Sequence, residues 1–331
     1  MIIPLSKPDI SGREERYTLE ALRSGQLSFG PKLEQFEASF QRLLNIPHAA
    51  AMNSGTSALH LAVKAAGLTA GDEVITTPYS FIASSNCLLF EGVTPVFTDI
   101  DPDTLNMDVN QIVGKITPRT KAILPVHIFG QTVQMDVVMK IARDHHLLVI
   151  EDACEALGAK WNKQEAGTFG DMSVFAFYPN KQITTGEGGV LLTRHKNLYQ
   201  SVCSLRNQGR DPESTWLEHD RIGYNYRMSD LQAAVGCAQM ERLDELLRKR
   251  EEVAERYLRM IREYDVDVQV PKVDIRAKVS WFVFIVILPE DVDRQNVMEE
   301  LNKEGVQPRP YFPCMHLQRD FRTMFGFRPC D

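Results

Sequence analysis

The strongest constraint on the fold is an alternation of helix-like and strand-like segments through the middle of the chain. Residues 56–66 carry apolar side chains at helical spacing and end before Gly67, and residues 73–77 form a short strand-like run. Residues 121–126 are a second such run, and residues 147–150 are continuously apolar, as in a strand buried on both faces. This alternation predicts a mostly parallel α/β sheet with right-handed crossovers.

The pattern of the chain changes near residue 240, which predicts a division into segments. Residues 1–30 are predicted to form an N-terminal arm and first helix, and residues 31–240 a large domain whose central sheet lies between layers of helices. Residues 241–331 are predicted to form a smaller α+β domain. Within it we expect a long charged helix, a buried strand at residues 281–288 and a helix at residues 294–304.

Composition limits the classes of function that need to be considered. The 331 residues are 44% hydrophobic and 24% charged, and their net charge of −7 with no Lys/Arg block argues against nucleic-acid binding. The six cysteines form no C-x-x-C pair and have no histidine at zinc spacing, so neither a disulfide framework nor a metal site is predicted. We expect a cytoplasmic protein, since neither a signal peptide nor a membrane-length apolar run is present.

Lys181 is the first candidate for chemistry. It lies between a strand-like run at residues 174–177 and the glycine-rich turn at residues 186–189. A lysine at the carboxyl end of a parallel strand can project its amine into a cleft and condense with an aldehyde cofactor. The alternative is a solvated surface lysine, which is the commoner situation.

Three further positions offer what a phosphorylated pyridine cofactor requires. Asp152 ends the apolar run and can pair with a protonated ring nitrogen, or it can simply cap a helix. Ser54, Gly55 and Thr56 open a helix and offer amides and hydroxyls to a phosphate, although capping alone also explains them. Phe81 can stack on a pyridine ring or belong to the core.

Together these segments resemble the DegT-type nucleotide-sugar aminotransferase family, a branch of the fold-type I enzymes that depend on pyridoxal phosphate (PLP). The resemblance covers nearly the whole chain, from Ile3 to His316. Its more specific motifs are Asn53-Ser54-Gly55-Thr56-Ser57-Ala58-Leu59-His60-Leu61, Pro125-Val126-His127-Ile128-Phe129-Gly130, Ile150-Glu151-Asp152-Ala153, Gly186-Glu187-Gly188-Gly189 and Gly223-Tyr224-Asn225-Tyr226-Arg227-Met228.

The resemblance implies a role for each of these residues in holding the cofactor. Lys181 would form the Schiff base with PLP, Asp152 would pair with the ring nitrogen, and Phe81 would cover the ring face. Residues 54–56 would surround the phosphate, and Glu155 would lie near the ring hydroxyl. The resemblance also implies that residues 31–240 are the PLP-binding domain.

Three more features concern the cofactor phosphate and the length of the chain. They are Asn225 and two departures from the family pattern. The resemblance implies that Asn225 reaches the phosphate held by the neighbouring subunit, so that a homodimer shares its active sites. Ala176 stands where many members have a phosphate-binding serine, and Ser173 or Asn180 are the candidate replacements. The chain stops at Asp331 where members usually continue, so the small domain is expected to be truncated.

The resemblance implies transfer of an amino group from L-glutamate to a keto-sugar, expected to be nucleotide-linked. The product would be an amino sugar for polysaccharide or glycoconjugate biosynthesis. Residues that could contact the donor carboxylate or the sugar are His127, Arg206, Arg210, Tyr311 and His316, each of which has a structural alternative.

Four rival functions stay open at this point. A cyclic ketone such as an inosose is an alternative acceptor, and a regulatory or scaffold protein can keep the same fold without catalysis. A PLP-dependent sugar dehydratase resembles this family but typically has histidine where this chain has Lys181. A cysteine desulfurase would need a cysteine on a mobile loop, whereas Cys154 follows a buried strand.

Overall fold

Within residues 2–210 and 218–328, which the computed structural model describes, a seven-stranded sheet forms the centre of the molecule. Its strand order is β1-β9-β8-β5-β4-β2-β3. All neighbouring pairs are parallel except those of β9, which runs antiparallel to both β8 and β1. The strands are β1 (His48–Met52), β2 (Glu73–Thr76), β3 (Thr94–Phe97), β4 (Thr120–Ile123), β5 (Leu148–Asp152), β8 (Met172–Ala176) and β9 (Gly189–Thr193).

Helices cover both faces of this sheet. The helices are α1 (Gly12–Ser24), α2 (Pro31–Leu44), α3 (Gly55–Ala65), α4 (Ala83–Leu89), α5 (Met135–His145), α6 (Lys196–Arg206), α7 (Asp230–Met240), α8 (Leu243–Glu263), α9 (Arg294–Lys303) and α10 (Arg319–Phe325). Side chains alternate along the strands, so that Val174 packs with α3 and α6 while Phe175 packs with α2 and α7. A second, three-stranded sheet has the order β10 (Ala277–Lys278), β6 (Lys160–Trp161), β7 (Gln164–Glu165).

The predicted mostly parallel α/β fold is confirmed, and its central elements lie where the alternation placed them. The expected helix at residues 56–66 corresponds to α3, and the runs at 73–77, 121–126 and 147–150 overlap β2, β4 and β5. The helix expected at residues 294–304 is α9. These elements were predictable because each has a strong periodic or continuous apolar pattern and a clear stop.

The buried strand predicted at residues 281–288 is wrong. This run has no strand, and its one ladder-like contact is an isolated bridge between Ile287 and Gln269. Trp281 has a φ of 51°, which lies in the left-handed region and interrupts an extended chain. Only Phe282 is fully buried in this segment, whose beginning packs against Gly130.

The predicted division of the chain stays a prediction, but the structure gives its setting. The proposed boundary after residue 240 falls between α7 and α8, while Leu243 and Leu246 of α8 pack in the core formed by α2. In the N-terminal segment, Glu14 of α1 accepts a 2.7 Å hydrogen bond from Gln239 of α7. None of the helices in the described ranges combines the length and apolar character needed to cross a bilayer.

Parallel strands bring their carboxyl ends to one edge of the sheet, and this edge gathers the candidate residues. β5 ends at Asp152, β8 ends at Ala176, and β1 ends just before Ser54. β9 begins at Gly189 on the same edge because it runs antiparallel to β8. The topology therefore brings residues that are far apart in the sequence to one place, where α/β sheets usually bind ligands.

Candidate active site

The Lys181 side chain ends in an enclosed space at the carboxyl edge of the central sheet. Its Nζ lies 3.4 Å from Oε1 of Glu155 and 4.0 Å from the centre of the Phe282 ring, and the side chain is 13% exposed. A carboxylate and an aromatic ring face are both favourable neighbours of an ammonium group. The amine is therefore held by neighbours, unlike the solvated surface lysine that was the alternative.

Glu155 connects the lysine to the end of β5. Its Oε2 accepts a hydrogen bond of 2.9 Å from the N–H of Phe129, a residue with a left-handed φ of 57°. Burial raises the pKa of Glu155, the Lys181 amine opposes this, and the charge of Asp152 adds to it. A carboxyl group with a raised pKa beside an amine can share a proton with it.

Asp152 is buried at the last position of β5 with its carboxylate held from two sides. Its Oδ2 accepts a hydrogen bond of 2.7 Å from the Ser84 hydroxyl, and its Oδ1 accepts one of 3.1 Å from the N–H of Cys154. The hydrogen bond from Cys154 means that Asp152 also caps the turn that follows β5, in line with the structural alternative for this residue. A carboxylate has lone pairs for about four hydrogen bonds, so two occupied positions leave room for a protonated ring nitrogen.

The N-terminus of α3 lies against the same edge and is open to an anion. The Ser54 hydroxyl accepts a hydrogen bond of 3.0 Å from the N–H of Ser57, while the N–H groups of Gly55 and Thr56 have no acceptor among the described residues. A Cβ atom added to Gly189 would lie 2.6 Å from the Ser54 carbonyl oxygen, so glycine is what lets β9 approach this closely. Free amides at the positive end of a helix fit a phosphate group.

Ala176 lies directly beneath this helix end. A Cβ atom added to Gly55 would lie 2.5 Å from the Ala176 Cβ. Ser173 does not replace the missing serine, because it faces the other side of β8 and donates to the Gly167 carbonyl oxygen at 2.7 Å. The side-chain carbonyl of Asn180 is buried and has no hydrogen-bond partner in the described ranges, so Asn180 stays a candidate.

Phe81 and Asn225 are both exposed, which leaves their predicted contacts possible. Phe81 is 58% exposed and lies in the segment between β2 and α4, three residues before the Ser84 that contacts Asp152. The backbone of Asn225 forms an antiparallel bridge with Asn207. The roles of Phe81 against the ring and of Asn225 in a second subunit stay predictions.

The predicted substrate contact of His127 does not fit its position. His127 is completely buried, and its Nδ1 accepts a hydrogen bond of 3.2 Å from the N–H of Val133. Its Nε2 therefore carries the proton and donates to Glu151 at 3.0 Å. Glu151 also accepts hydrogen bonds of 2.7 Å from the N–H groups of Phe169 and Gly170. His127 supports this buried carboxylate, and no nitrogen is left for a substrate.

Tyr311 lies close to the candidate chemistry. Its ring packs edge to face against Phe129, and its carbonyl oxygen accepts a hydrogen bond of 2.7 Å from the Tyr79 hydroxyl. Burial raises the pKa of Tyr311, and the charge of Glu155 raises it further. Tyr311 therefore packs against Phe129, whose N–H donates to the same Glu155 that contacts the Lys181 amine.

The other candidate substrate residues lie apart from this group. His316 packs against Phe97 at the end of the edge strand β3, and no described contact joins it to Lys181. Arg206 is buried and bonds the Glu37 carboxylate and the Ala51 carbonyl oxygen, which is a structural role. Arg210 borders residues 211–217, which lie outside the described residues.

Residues from the C-terminal part of the chain, which the sequence pattern did not indicate, also hold Lys181. Phe282 places its ring on the amine, and the Gln182 side chain donates both to the Glu155 carbonyl oxygen and to the Ser280 hydroxyl. Arg250 of α8 donates to the carbonyl oxygens of this same region. The unusual apolar run that contains Phe282 was the available signal, but it was interpreted as a strand.

The arrangement fits PLP better than it fits the alternatives. Lys181 suits the aldehyde, Asp152 the ring nitrogen, and the α3 N-terminus the phosphate. Burial and the charge of Asp152 raise the pKa of Cys154 well above its ordinary value, so this thiol is unsuited to the attack that a desulfurase requires. In the part of the chain that the structure describes, no three His, Cys, Asp or Glu side chains are placed to hold a metal ion.

Comparison with known proteins also indicates an aminotransferase, and the similarity covers most of the chain. The model of the DegT/DnrJ/EryC1/StrS aminotransferase family matches residues 8–330. A GDP-perosamine synthase of Caulobacter vibrioides is 41% identical over 318 residues, which cover 95% of this chain and 85% of that protein. The putative pyridoxal phosphate-dependent aminotransferase EpsN of Bacillus subtilis is 33% identical over 320 residues, covering 96% of this chain and 84% of that protein.

A solved structure extends the similarity to the fold. The Helicobacter pylori aminotransferase PseC, which is involved in the biosynthesis of pseudoaminic acid, superposes with a TM-score of 0.93 at 30% identity. The match covers 99% of this chain and 90% of that one. This chain therefore belongs to the DegT/DnrJ/EryC1/StrS aminotransferase family and is a PLP-dependent aminotransferase.

Proposed function

We propose that this chain transfers the amino group of L-glutamate to the keto carbon of a nucleotide-linked sugar, giving an amino sugar for polysaccharide or glycoconjugate biosynthesis. The observation that carries the proposal is the enclosed Lys181 amine, which lies 3.4 Å from Glu155 at the edge that also holds Asp152 and the open N-terminus of α3. The 41% identity to a GDP-perosamine synthase supports a nucleotide-linked sugar as the acceptor.

The chemistry divides between the cofactor and the chain. PLP, when bound, supplies an aldehyde that takes up the amino group and a ring that accepts electrons from the carbon losing a proton. The amine of Lys181 is the group that would hold this aldehyde, and as a free amine it would accept the proton from the α-carbon of glutamate. Glu155 lies near enough to hold a proton for this amine between the two halves of the reaction.

The net exchange balances without any further reactant. L-glutamate becomes 2-oxoglutarate, and the ketone becomes an amine. Overall, no water is consumed or released. The second half therefore uses the same Lys181 amine with the proton moving in the opposite direction.

The other groups at the edge orient the cofactor. The carboxylate of Asp152, fixed by Ser84 and the turn N–H of Cys154, would pair with the ring nitrogen and keep it protonated. The free amides of Gly55 and Thr56 would hold the phosphate, and the exposed ring of Phe81 would cover a face of the pyridine.

A homodimer with shared active sites is part of the proposal. Asn225 is exposed and its side chain has no described hydrogen-bond partner, as suits a residue that completes a neighbouring site. Ile222, three residues earlier, is 85% exposed, which leaves an apolar side chain near Asn225 for a second subunit to cover. We also propose a cytoplasmic location, which suits the unpaired cysteines Cys87, Cys154, Cys203, Cys237 and Cys314.

A labelled-donor assay tests the proposed acceptor. PLP-loaded protein is given isotopically labelled L-glutamate together with GDP-, UDP- and dTDP-linked keto-sugars or an inosose, and products are analysed by mass spectrometry. The proposal expects label in a nucleotide-linked amino sugar, with none in Lys181→Ala and normal turnover in the exposed control Lys115→Ala. Label in the inosose product alone would establish the cyclic-ketone alternative.

A colourless protein that transfers no label would instead favour the scaffold alternative. If the visible band responds to glutamate but no acceptor is aminated, the donor half stands and the proposed acceptor class is wrong. The two halves of the proposal are therefore tested separately by absorbance and by product analysis.

A further inference from the structure

Arg250 of α8 holds together the two backbone segments that surround the Lys181 amine. Its Nη2 lies 2.6 Å from the carbonyl oxygen of Lys181 and 3.2 Å from that of Asn180. Its Nη1 lies 2.9 Å from the carbonyl oxygen of Phe282 and 3.2 Å from that of Trp281. One guanidinium therefore joins the loop that carries the lysine to the segment whose ring lies on the amine.

This use of an arginine is unusual because it involves no ion pair. Among the described carboxylates, none lies within ion-pair distance of Arg250, and burial alone lowers its pKa. By contrast, Arg242, which immediately precedes α8, bonds Asp9 and Glu14. Four backbone carbonyls in two segments match the planar fork of a guanidinium, which a single ammonium group cannot copy.

The segment that Arg250 holds has little other regular structure. Trp281 has a left-handed φ of 51°, and the run that follows it is not a strand. A Cβ atom added to Gly130 would lie 2.9 Å from the Trp281 nitrogen, so the segment packs closely against the turn that ends at Gly130. The second link between the two segments is the hydrogen bond of 2.9 Å from Gln182 to Ser280.

We propose that Arg250 is a positioning residue for catalysis, which fixes the Lys181 loop and the Phe282 ring relative to each other and so aims the amine at its reacting partner. The inference rests on the proposed role of Lys181. Without Arg250, the lysine loop and the Phe282 segment can move apart, and the amine loses the ring face that limits its position. Misplacing a reacting group by about 1 Å can cost on the order of 100-fold in rate.

Three variants and one control test this role. Arg250→Met removes every hydrogen-bond donor of this side chain, and Arg250→Lys keeps the charge with fewer directed donors. Phe282→Leu removes the aromatic ring but keeps the hydrogen bonds from Arg250 to the backbone. Arg259→Met is the matched control, because Arg259 lies on the same helix and is exposed. Each protein is loaded with PLP, and its unfolding midpoint is measured so that only folded, fully loaded samples are compared.

Two readouts are taken from the loaded proteins. The first is the single-turnover reaction with L-glutamate, followed by the visible band, which gives a limiting rate and a half-saturating concentration without any sugar. The second is the visible circular dichroism per bound cofactor, which reports how uniformly the chain orients the chromophore. A role in stability alone would change the unfolding midpoint and neither of these.

We expect Arg250→Met to lower the limiting rate by about 10- to 100-fold with little change in half-saturation, and to reduce the visible circular dichroism. Arg250→Lys should recover part of both, and Phe282→Leu should lower the rate by about 3- to 30-fold. If Arg250→Met fails to fold, Arg250→Lys and Phe282→Leu test the positioning role instead.

The inference would be overturned if folded Arg250→Met had the same limiting rate and visible circular dichroism as Arg259→Met. If Arg250→Met does not fold, the same result in Arg250→Lys and Phe282→Leu would overturn it. A separate experiment shows whether the proposed role of Lys181 itself is wrong. In that case borohydride reduction of the wild-type protein would attach the cofactor to a different lysine.

Discussion

A single added methyl group should show whether the N-terminus of α3 is built to lie against β8. Gly55 is the first residue of α3, and a Cβ atom there would lie 2.5 Å from the Ala176 Cβ. Gly12 is likewise the first residue of α1, but a Cβ atom added to it would have no neighbour within 4 Å. Gly55→Ala and Gly12→Ala therefore make the same chemical change at equivalent helical positions with different surroundings.

The magnitude follows from the contact distance. Carbon atoms pack best at about 3.5–4.0 Å, so Gly55→Ala forces the helix end and the strand end apart by roughly 1 Å. Such overpacking costs about 1–3 kcal/mol relative to Gly12→Ala, which should show only the helix-propensity gain of about 0.5–1 kcal/mol. Losing one charge-assisted amide bond to the phosphate, about 1.5–3 kcal/mol, would weaken PLP binding roughly 10- to 150-fold.

A second substitution should reverse the effect. With Ala176→Gly, the nearest remaining neighbours of the new Cβ are the Cys154 Sγ at 3.5 Å and the residue-176 Cα at 3.6 Å, which are ordinary contacts. The free energy of unfolding without cofactor and the Kd for PLP are measured for both single variants and the double variant. We expect a coupling of about 1–3 kcal/mol, with the double variant close to Ala176→Gly alone.

Two results would refute this reasoning. The first is a Gly55→Ala protein with the stability and PLP affinity of Gly12→Ala. The second is a double variant whose changes in the free energy of unfolding and in the Kd for PLP equal the sums of the changes in the two single variants. Either would mean that the close contact between the helix end and β8 has no energetic consequence for the phosphate subsite.

Three further expectations concern other positions. Ala176→Ser should tighten PLP binding by about 10-fold or more by restoring a hydroxyl donor, and an unchanged Kd by fluorescence titration would contradict this. His127→Ala should lower the free energy of unfolding by about 1–3 kcal/mol but leave the KM for the keto-sugar unchanged in folded protein; a raised KM would restore its substrate role. Burial raises the pKa of Glu14, but hydrogen bonds from Ser11 and Gln239 outweigh it and lower the pKa to about 2. Because this folded-state pKa is below the unfolded value, the stability from Glu14 is present above about pH 4.5 and is lost as the pH falls towards 2, so Glu14→Gln should flatten that part of a urea-unfolding profile against pH.

The central elements of the fold and much of the candidate site were predictable because local patterns specify them. The continuous apolar run before Glu151 is what a strand buried on both faces needs, and β5 ends at Asp152 as expected. Once parallel strands are predicted, their carboxyl ends must meet at one edge. The sequence alone could therefore bring Lys181 and Asp152 together without a structure.

The wrong strand at residues 281–288 and the ambiguity over His127 arose where one sequence pattern serves two physical purposes. The apolar run at residues 281–288 looks like a strand, but carbonyl oxygens that a strand would pair are bonded to Arg250, and the ring of Phe282 lies on an amine. His127 follows a strand-like run, as a site residue would. Nothing local indicates that both of its nitrogens are bonded to Val133 and Glu151 inside the protein.

Arg250 was missed for a related reason. It lies in a helix rich in charged residues, where most side chains face water. Its distance from Lys181 is 69 residues along the chain, so its contact with the lysine loop depends entirely on how α8 packs. Long-range contacts of this kind leave no periodic pattern in a sequence.

The most direct test of the central claim is to identify the lysine that bonds the cofactor. The protein is purified, loaded with PLP, reduced with borohydride and digested, and the modified peptide is sequenced by mass spectrometry. We predict a visible band that shifts on addition of L-glutamate, and modification at Lys181, with neither observed in Lys181→Ala. Modification at another lysine, or a wild-type protein with no visible band, would contradict the account.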